Sequence, residues 1–111
     1  MARKKVDAKK IVRDYTAKLP SRIKGAQAFI FGSAARRQMR KDSDVDVIVL
    51  SDAFSAIPFL QRLQLLNRHR RGPALTVPMD ILGYTPEEFA SFRTHGSPNV
   101  RRIYREAQRV Y

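Results

Sequence analysis

Residues 29–33 read Phe-Ile-Phe-Gly-Ser and residues 44–50 read Asp-Val-Asp-Val-Ile-Val-Leu, with ten residues between Ser33 and Asp44. The second stretch is the clearest strand in the chain, because β-branched residues dominate Val45–Leu50 and the run is too short for a helix. Ala26–Phe31 is a similar short apolar run and reads as a buried strand stopped by Gly32-Ser33. Glycine allows a tight turn and a close backbone approach to a ligand. If a helix opens after it, free N–H groups and the Ser33 hydroxyl are suited to holding a phosphate. Gly-Ser is also a common turn without any ligand, so this feature alone decides nothing.

Asp44 and Asp46 are two residues apart on a strand, so both project to the same face. Two neighbouring carboxylates repel unless a cation offsets them, and Mg²⁺ prefers a few carboxylates supplemented by phosphate oxygens. The bland alternative is a strand end in solvent, but Val47-Ile48-Val49-Leu50 carries the strand straight into the core. Asp80 lies within Val77-Pro78-Met79-Asp80-Ile81-Leu82, where a lone acid requires a partner. That partner is either one of the many arginines or a cation shared with Asp44 and Asp46.

Outward from these strands, Ile11, Val12, Tyr15 and Leu19 recur at helical spacing and predict a helix over 7–19. Residues 33–40 are expected to form a short helix. Ser55 is expected to cap a helix that buries Phe59, Leu60, Leu63 and Leu66 and ends at the basic run 68–71. Residues 75–82 read as a third strand, and Pro78 places it at an edge or on a bulge, because proline cannot donate to a ladder. Thr85-Pro86-Glu87-Glu88 has the pattern of a capping box and starts a helix reaching about Thr94. Ser97-Pro98 starts the last one, with Val100, Ile103, Tyr104, Ala107 and Tyr111 on its apolar side. The expected fold is therefore α/β (α+β), a small mixed sheet of about three strands flanked by helices. It forms one domain over 1–111.

Composition narrows the function classes. The absence of cysteine excludes disulfides and thiolate chemistry and fits a cytoplasmic protein. No apolar run approaches the ~20 residues that span a bilayer. The basic start lacks the apolar stretch of a secretory signal. A net charge of +12 favours polyanions such as nucleic acid, nucleotide phosphates or an acidic protein, although a merely solvated basic surface would show the same number. Four of the ten acids, Asp42, Asp44, Asp46 and Asp80, nevertheless fall in or beside strand-like runs. His69 and His95 read as surface or capping residues, and Asp42 as a neighbour of the site and not a ligand.

Gly32-Ser33, the ten-residue gap and Asp44-Val45-Asp46 together resemble the signature of the polymerase β-like nucleotidyltransferase superfamily. The likeness is greatest to its minimal nucleotidyltransferases, many of them encoded beside a HEPN-domain protein. It runs from Phe29 to Leu50 with a looser match at Asp80, and Ala35-Arg36 and Asp42-Ser43 look like the family's loop. Arg37 departs from it, standing where the family often has glycine. The resemblance implies a nucleotidyltransferase fold and Mg²⁺ held by Asp44, Asp46 and Asp80. It also implies a nucleotide cradled by Gly32 and Ser33 and steadied by Arg36. The implied reaction moves a nucleoside monophosphate, AMP from ATP, to a hydroxyl such as a tyrosine of a HEPN toxin, the chain acting as antitoxin. Two other readings stay open: a non-catalytic antitoxin that neutralises its partner by contact, and a basic nucleic-acid-binding domain whose binding would not need Asp44 or Asp46.

Overall fold

The computed structural model describes residues 7–32 and 44–111. The expected helix over 33–40 lies outside them, as do Ser33, Arg36, Arg37, Asp42 and Ser43. Four strands, β1 (Gln27–Phe31), β2 (Val45–Leu50), β3 (Met79–Tyr84) and β4 (Gln108–Arg109), form one sheet in the order β3-β2-β1-β4. β1 runs antiparallel to both β2 and β4, while β2 and β3 are parallel.

Alternation along the strands gives each sheet face its own core. Ala28, Ile30, Val45, Val47, Val49 and Ile81 face one side. There they meet Val12 and Tyr15 of α1 (Ala8–Ala17), Leu65 and Leu66 of α2 (Phe59–Arg68), and Phe54 of a 3₁₀ turn at Asp52–Ala56. Asp7 caps α1 by accepting from the Lys10 amide at 3.1 Å. On the other side, Ile48 and Leu50 pack with Phe29, Phe31, Leu82 and Tyr84 beneath α4 (Pro86–Ser91) and α5 (Pro98–Glu106). Phe89 of α4 ties that layer together, its ring 5.2 Å from that of Phe29 and 5.0 Å from that of Tyr104.

Several expectations are corrected. Among the described residues the sheet has four strands, because the last helix stops at Glu106 and the chain turns back as β4 beside β1. Residues 73–76 form a short helix, α3 (Pro73–Thr76), so the third strand starts at Met79 and runs on to Tyr84. β3 is an edge strand, as Pro78 required, with that proline just outside it. Ser51 and not Ser55 caps the turn after β2, its hydroxyl accepting from the Ala53 amide. α2 begins at Phe59 without a side-chain cap and buries Arg62, Leu65 and Leu66, leaving Phe59 and Leu60 exposed. The Thr85 capping box is present, with both reciprocal bonds to Glu88 formed, though α4 ends at Ser91.

Arg62 explains the rotated face of α2. Its Nε donates to the Ile57 carbonyl at 2.7 Å, and its Nη1 donates to the Gly83 carbonyl at 3.2 Å and to Glu88 at 2.8 Å. The guanidinium also sits 5.8 Å from the Phe54 ring centre. This buried cation joins the 3₁₀ turn, β3 and α4. Gly83 lets the layers close, because a Cβ there would meet Leu66 at 3.0 Å and Phe54 at 3.1 Å.

Candidate active site

Asp46 is the second residue of β2, and the registers place one residue of each neighbouring strand beside it. Phe31 of β1 is its partner on one side and Asp80 of β3 on the other. Adjacent strands lie roughly 4.8 Å apart, so the Asp46 and Asp80 backbones are that close. Parallel pairing in register turns both side chains to one face, the face that carries Ile48 and Leu50. Asp44, two residues earlier, belongs to the same face by alternation. The acids therefore gather at one end of the second core, where β1 ends and β2 and β3 begin. Asp46 is half-buried there, whereas Asp44 and Asp80 are exposed.

The electrostatics agree with this placement. Burial pushes the Asp46 carboxyl above the usual carboxylate range, and the charges of Asp80 and then Asp44 push it further. Among the described residues, no lysine or arginine forms an ion pair with any of the three. The salt-bridge reading of Asp80 therefore has no support among the described residues.

Gly32 closes the site from the β1 side. Its φ is +66°, a conformation other residues rarely adopt, and a Cβ there would stand 2.7 Å from Oδ2 of Asp46. Glycine thus lets the end of β1 lie directly against the half-buried carboxylate, a close approach that a side chain would block.

The donor set suits a hard divalent cation: carboxylate oxygens only, carrying excess negative charge. Among the described residues no three His, Cys, Asp or Glu side chains form a ready-made cage around one point. Mg²⁺ does not demand one, because it commonly binds through one or two carboxylates and completes its shell with water and substrate phosphates.

A family model described as nucleotidyltransferase domain matches residues 9–110. The chain belongs to the nucleotidyltransferase domain family. This nucleotidyltransferase domain is thereby a transferase by family, and its mixed sheet between helices is the family's fold. It is similar to a provisionally assigned nucleotidyltransferase from Sulfolobus solfataricus, at 24% identity over 76% of this chain and 68% of that one, with a TM-score of 0.53. It is also similar to a chain of a toxin–antitoxin structure solved with AMP-PNP, at 14% identity over 93% of this chain and 72% of that one, with a TM-score of 0.54. At these identities the likeness shows the fold. A comparison with curated proteins finds no match.

Of the residues singled out in the sequence, Gly32, Asp44, Asp46 and Asp80 come together; Ser33 and Arg36 lie outside the described residues. His69 is the C-cap residue of α2 and His95 bonds to the Thr94 hydroxyl, both distant in sequence from the acids. The sequence reading missed Phe31 as the residue beside Asp46; alternation from Ile30 gives its face, but the pairing follows from the β1–β2 register. Among the described residues no helix is long and apolar enough to cross a membrane.

Proposed function

We propose that this domain transfers AMP from ATP to a hydroxyl acceptor, a tyrosine of a partner HEPN toxin, and so acts as an antitoxin. The observation that carries the reading is the side-by-side placement of Asp46 and Asp80, with Asp44 raising the charge on the same spot and Gly32 packed against the Asp46 carboxylate. The toxin–antitoxin neighbour and its adenine nucleotide analogue support the choice of partner and nucleotide.

In this reading Asp44, Asp46 and Asp80 would hold Mg²⁺. When bound, the ion supplies charge neutralisation at the triphosphate and at the attacking and leaving oxygens. The chain's own contribution is positional. Gly32 would offer main-chain contact to the phosphates, and Ser33 and Arg36, which follow it in sequence, would add side-chain donors to them. The exposed Asp80 accepts the proton of the acceptor hydroxyl as its oxygen bonds to the α-phosphorus and pyrophosphate leaves.

The test incubates the domain with α-³²P-ATP, Mg²⁺ and the product of the neighbouring gene. Label on the partner that disappears with Asp44→Asn or Asp46→Asn supports the reading. Neutralisation of the toxin without label, unchanged in those variants, replaces it with contact neutralisation.

A further inference from the structure

The face of α5 that turns away from the sheet is built almost wholly of arginine. Val100, Ile103, Tyr104 and Ala107 have the i, i+3, i+4, i+7 spacing of one helix side, and the last three pack on the second core. Arg101, Arg102 and Arg105 fall on the opposite side, and all three are exposed. Arg109, exposed on β4 directly after the helix, extends the row. The helix has a single acid, Glu106, on its flank.

Strand register brings this face to the catalytic end. β4 pairs Arg109 with Phe29 and Gln108 with Ile30, and Ala107, the C-cap of α5 just before it, packs in the second core together with Phe31. Phe31 is in turn the partner of Asp46. One row thus crosses the sheet as Asp80, Asp46 and Phe31, with Ala107 packed at its end. At the usual strand spacing the C-terminal turn of α5 stands about 10 Å from Asp46, on the same face of the sheet.

We propose that this arginine face is the acceptor dock, and that it receives an acidic protein surface surrounding the acceptor tyrosine. This rests on the reading of the site given above. Charge complementarity sets the partner's sign. Arginine without lysine favours planar, bidentate contact with carboxylates, and arginine is enriched where proteins meet. The row also ends at an exposed tyrosine, Tyr111, whose carbonyl accepts from Arg109 Nε at 3.0 Å. Tyrosine and arginine together are the usual anchors of protein interfaces.

The probe is a random glutamate–tyrosine copolymer, fluorescently labelled and titrated by anisotropy without ATP. The wild type and Asp46→Asn are expected to bind it alike. Arg101→Gln/Arg102→Gln/Arg105→Gln/Arg109→Gln together are expected to weaken binding at least about tenfold, and Lys10→Gln/Lys18→Gln/Arg22→Gln/Lys24→Gln, on the α1 side, less than about threefold. Equal loss in both sets overturns the proposal in favour of diffuse charge. A single-stranded RNA that displaces the copolymer from the α5 face at lower concentration overturns it in favour of nucleic acid. Loss of binding selectivity alongside intact labelling of the partner sinks the dock alone, and selective binding without any transfer sinks the catalytic reading alone.

Discussion

Replacing Gly32 by alanine tests the geometry of the site without any substrate. Two costs are expected. A β-carbon at φ +66° brings left-handed strain of about 1–2 kcal/mol. The same carbon would lie 2.7 Å from Oδ2 of Asp46, well inside ordinary contact distance. Relieving such overpacking costs about 1–3 kcal/mol, and the lower end applies because Asp46 is half-buried and has room to yield. Gly32→Ala should therefore lose about 2–3 kcal/mol. In an Asp46→Ala background the carboxylate is gone and only the backbone strain remains, so the same change should cost about 1–2 kcal/mol. The coupling of about 1 kcal/mol is measured by urea unfolding of the four proteins of the cycle in metal-free buffer, with constant m-values as the check on two-state behaviour. A coupling below about 0.3 kcal/mol would refute the stacking of Gly32 on Asp46, because contacting sites do not behave additively. The displaced carboxylate should also lower transfer about a hundredfold, the usual consequence of moving a catalytic group by about 1 Å.

Arg62→Met should destabilise the domain by about 2–3 kcal/mol in thermal or urea unfolding, because it strands the Ile57 and Gly83 carbonyls. The Glu88 pair adds under about 1 kcal/mol, since that side chain is 44% exposed, and a loss below about 1 kcal/mol would show that the guanidinium is not the link between these elements. Glu88 sets an acid limit on stability: burial pushes its carboxyl up, but hydrogen bonds from Thr85 and the hydrogen bond and charge of Arg62 outweigh this and leave it below the usual range. A lowered folded pKa contributes stability above the ordinary glutamate range of about 4.3. That contribution is lost as pH falls through the depressed value, and Glu88→Gln should remove this part of the acid slope, which unfolding free energies from pH 7 to 3 would reveal. Asp46→Asn should raise the stability of the metal-free domain, because it removes the charge that Asp80 and Asp44 oppose; a lower melting temperature would mean that Asp46 has a compensating partner.

Much of this was legible in the sequence wherever one local cause dominated. β2 was read to the residue because its apolar run has no competing period, and the Thr85 capping box because its chemistry is contained in four residues. Asp44 and Asp46 came from strand alternation ahead of an apolar run, and Gly32 from its turn chemistry together with the family resemblance. What failed depended on tertiary contacts. α2 was oriented by its largest apolar residues, yet Arg62 has three acceptors and an aromatic face waiting inside, and these rotate the helix and leave Leu60 in solvent. β4 was invisible because two residues, Gln108 and Arg109, carry no alternating pattern. They become a strand only because β1 offers an unpaired edge. Asp80 was recognised as an acid out of place, but its match to Asp46 follows from parallel register, which no local pattern encodes.

The same register accounts for why the acids are tolerated. A carboxylate on a central strand would be costly if fully buried, and this sheet avoids that by placing Asp46 at the second position of β2, where the second core runs out. From Ile48 onward the same face is closed over by Phe89 and Tyr104; at Asp46 the neighbours are Phe31, an exposed Asp80 and a glycine without a side chain. The core therefore fixes the strand backbone rigidly within one residue pair of the site, while the site keeps access to water, ions and ligand. A fixed backbone and unrelieved charge are what the proposed Mg²⁺ site would draw on, the ion completing its shell with water and phosphate oxygens. Shifting β3 by one residue against β2 would turn Asp80 to the opposite face, toward Val12 and Leu66, and would bury an uncompensated charge. The pairing that builds the site is thus also the pairing that the core enforces.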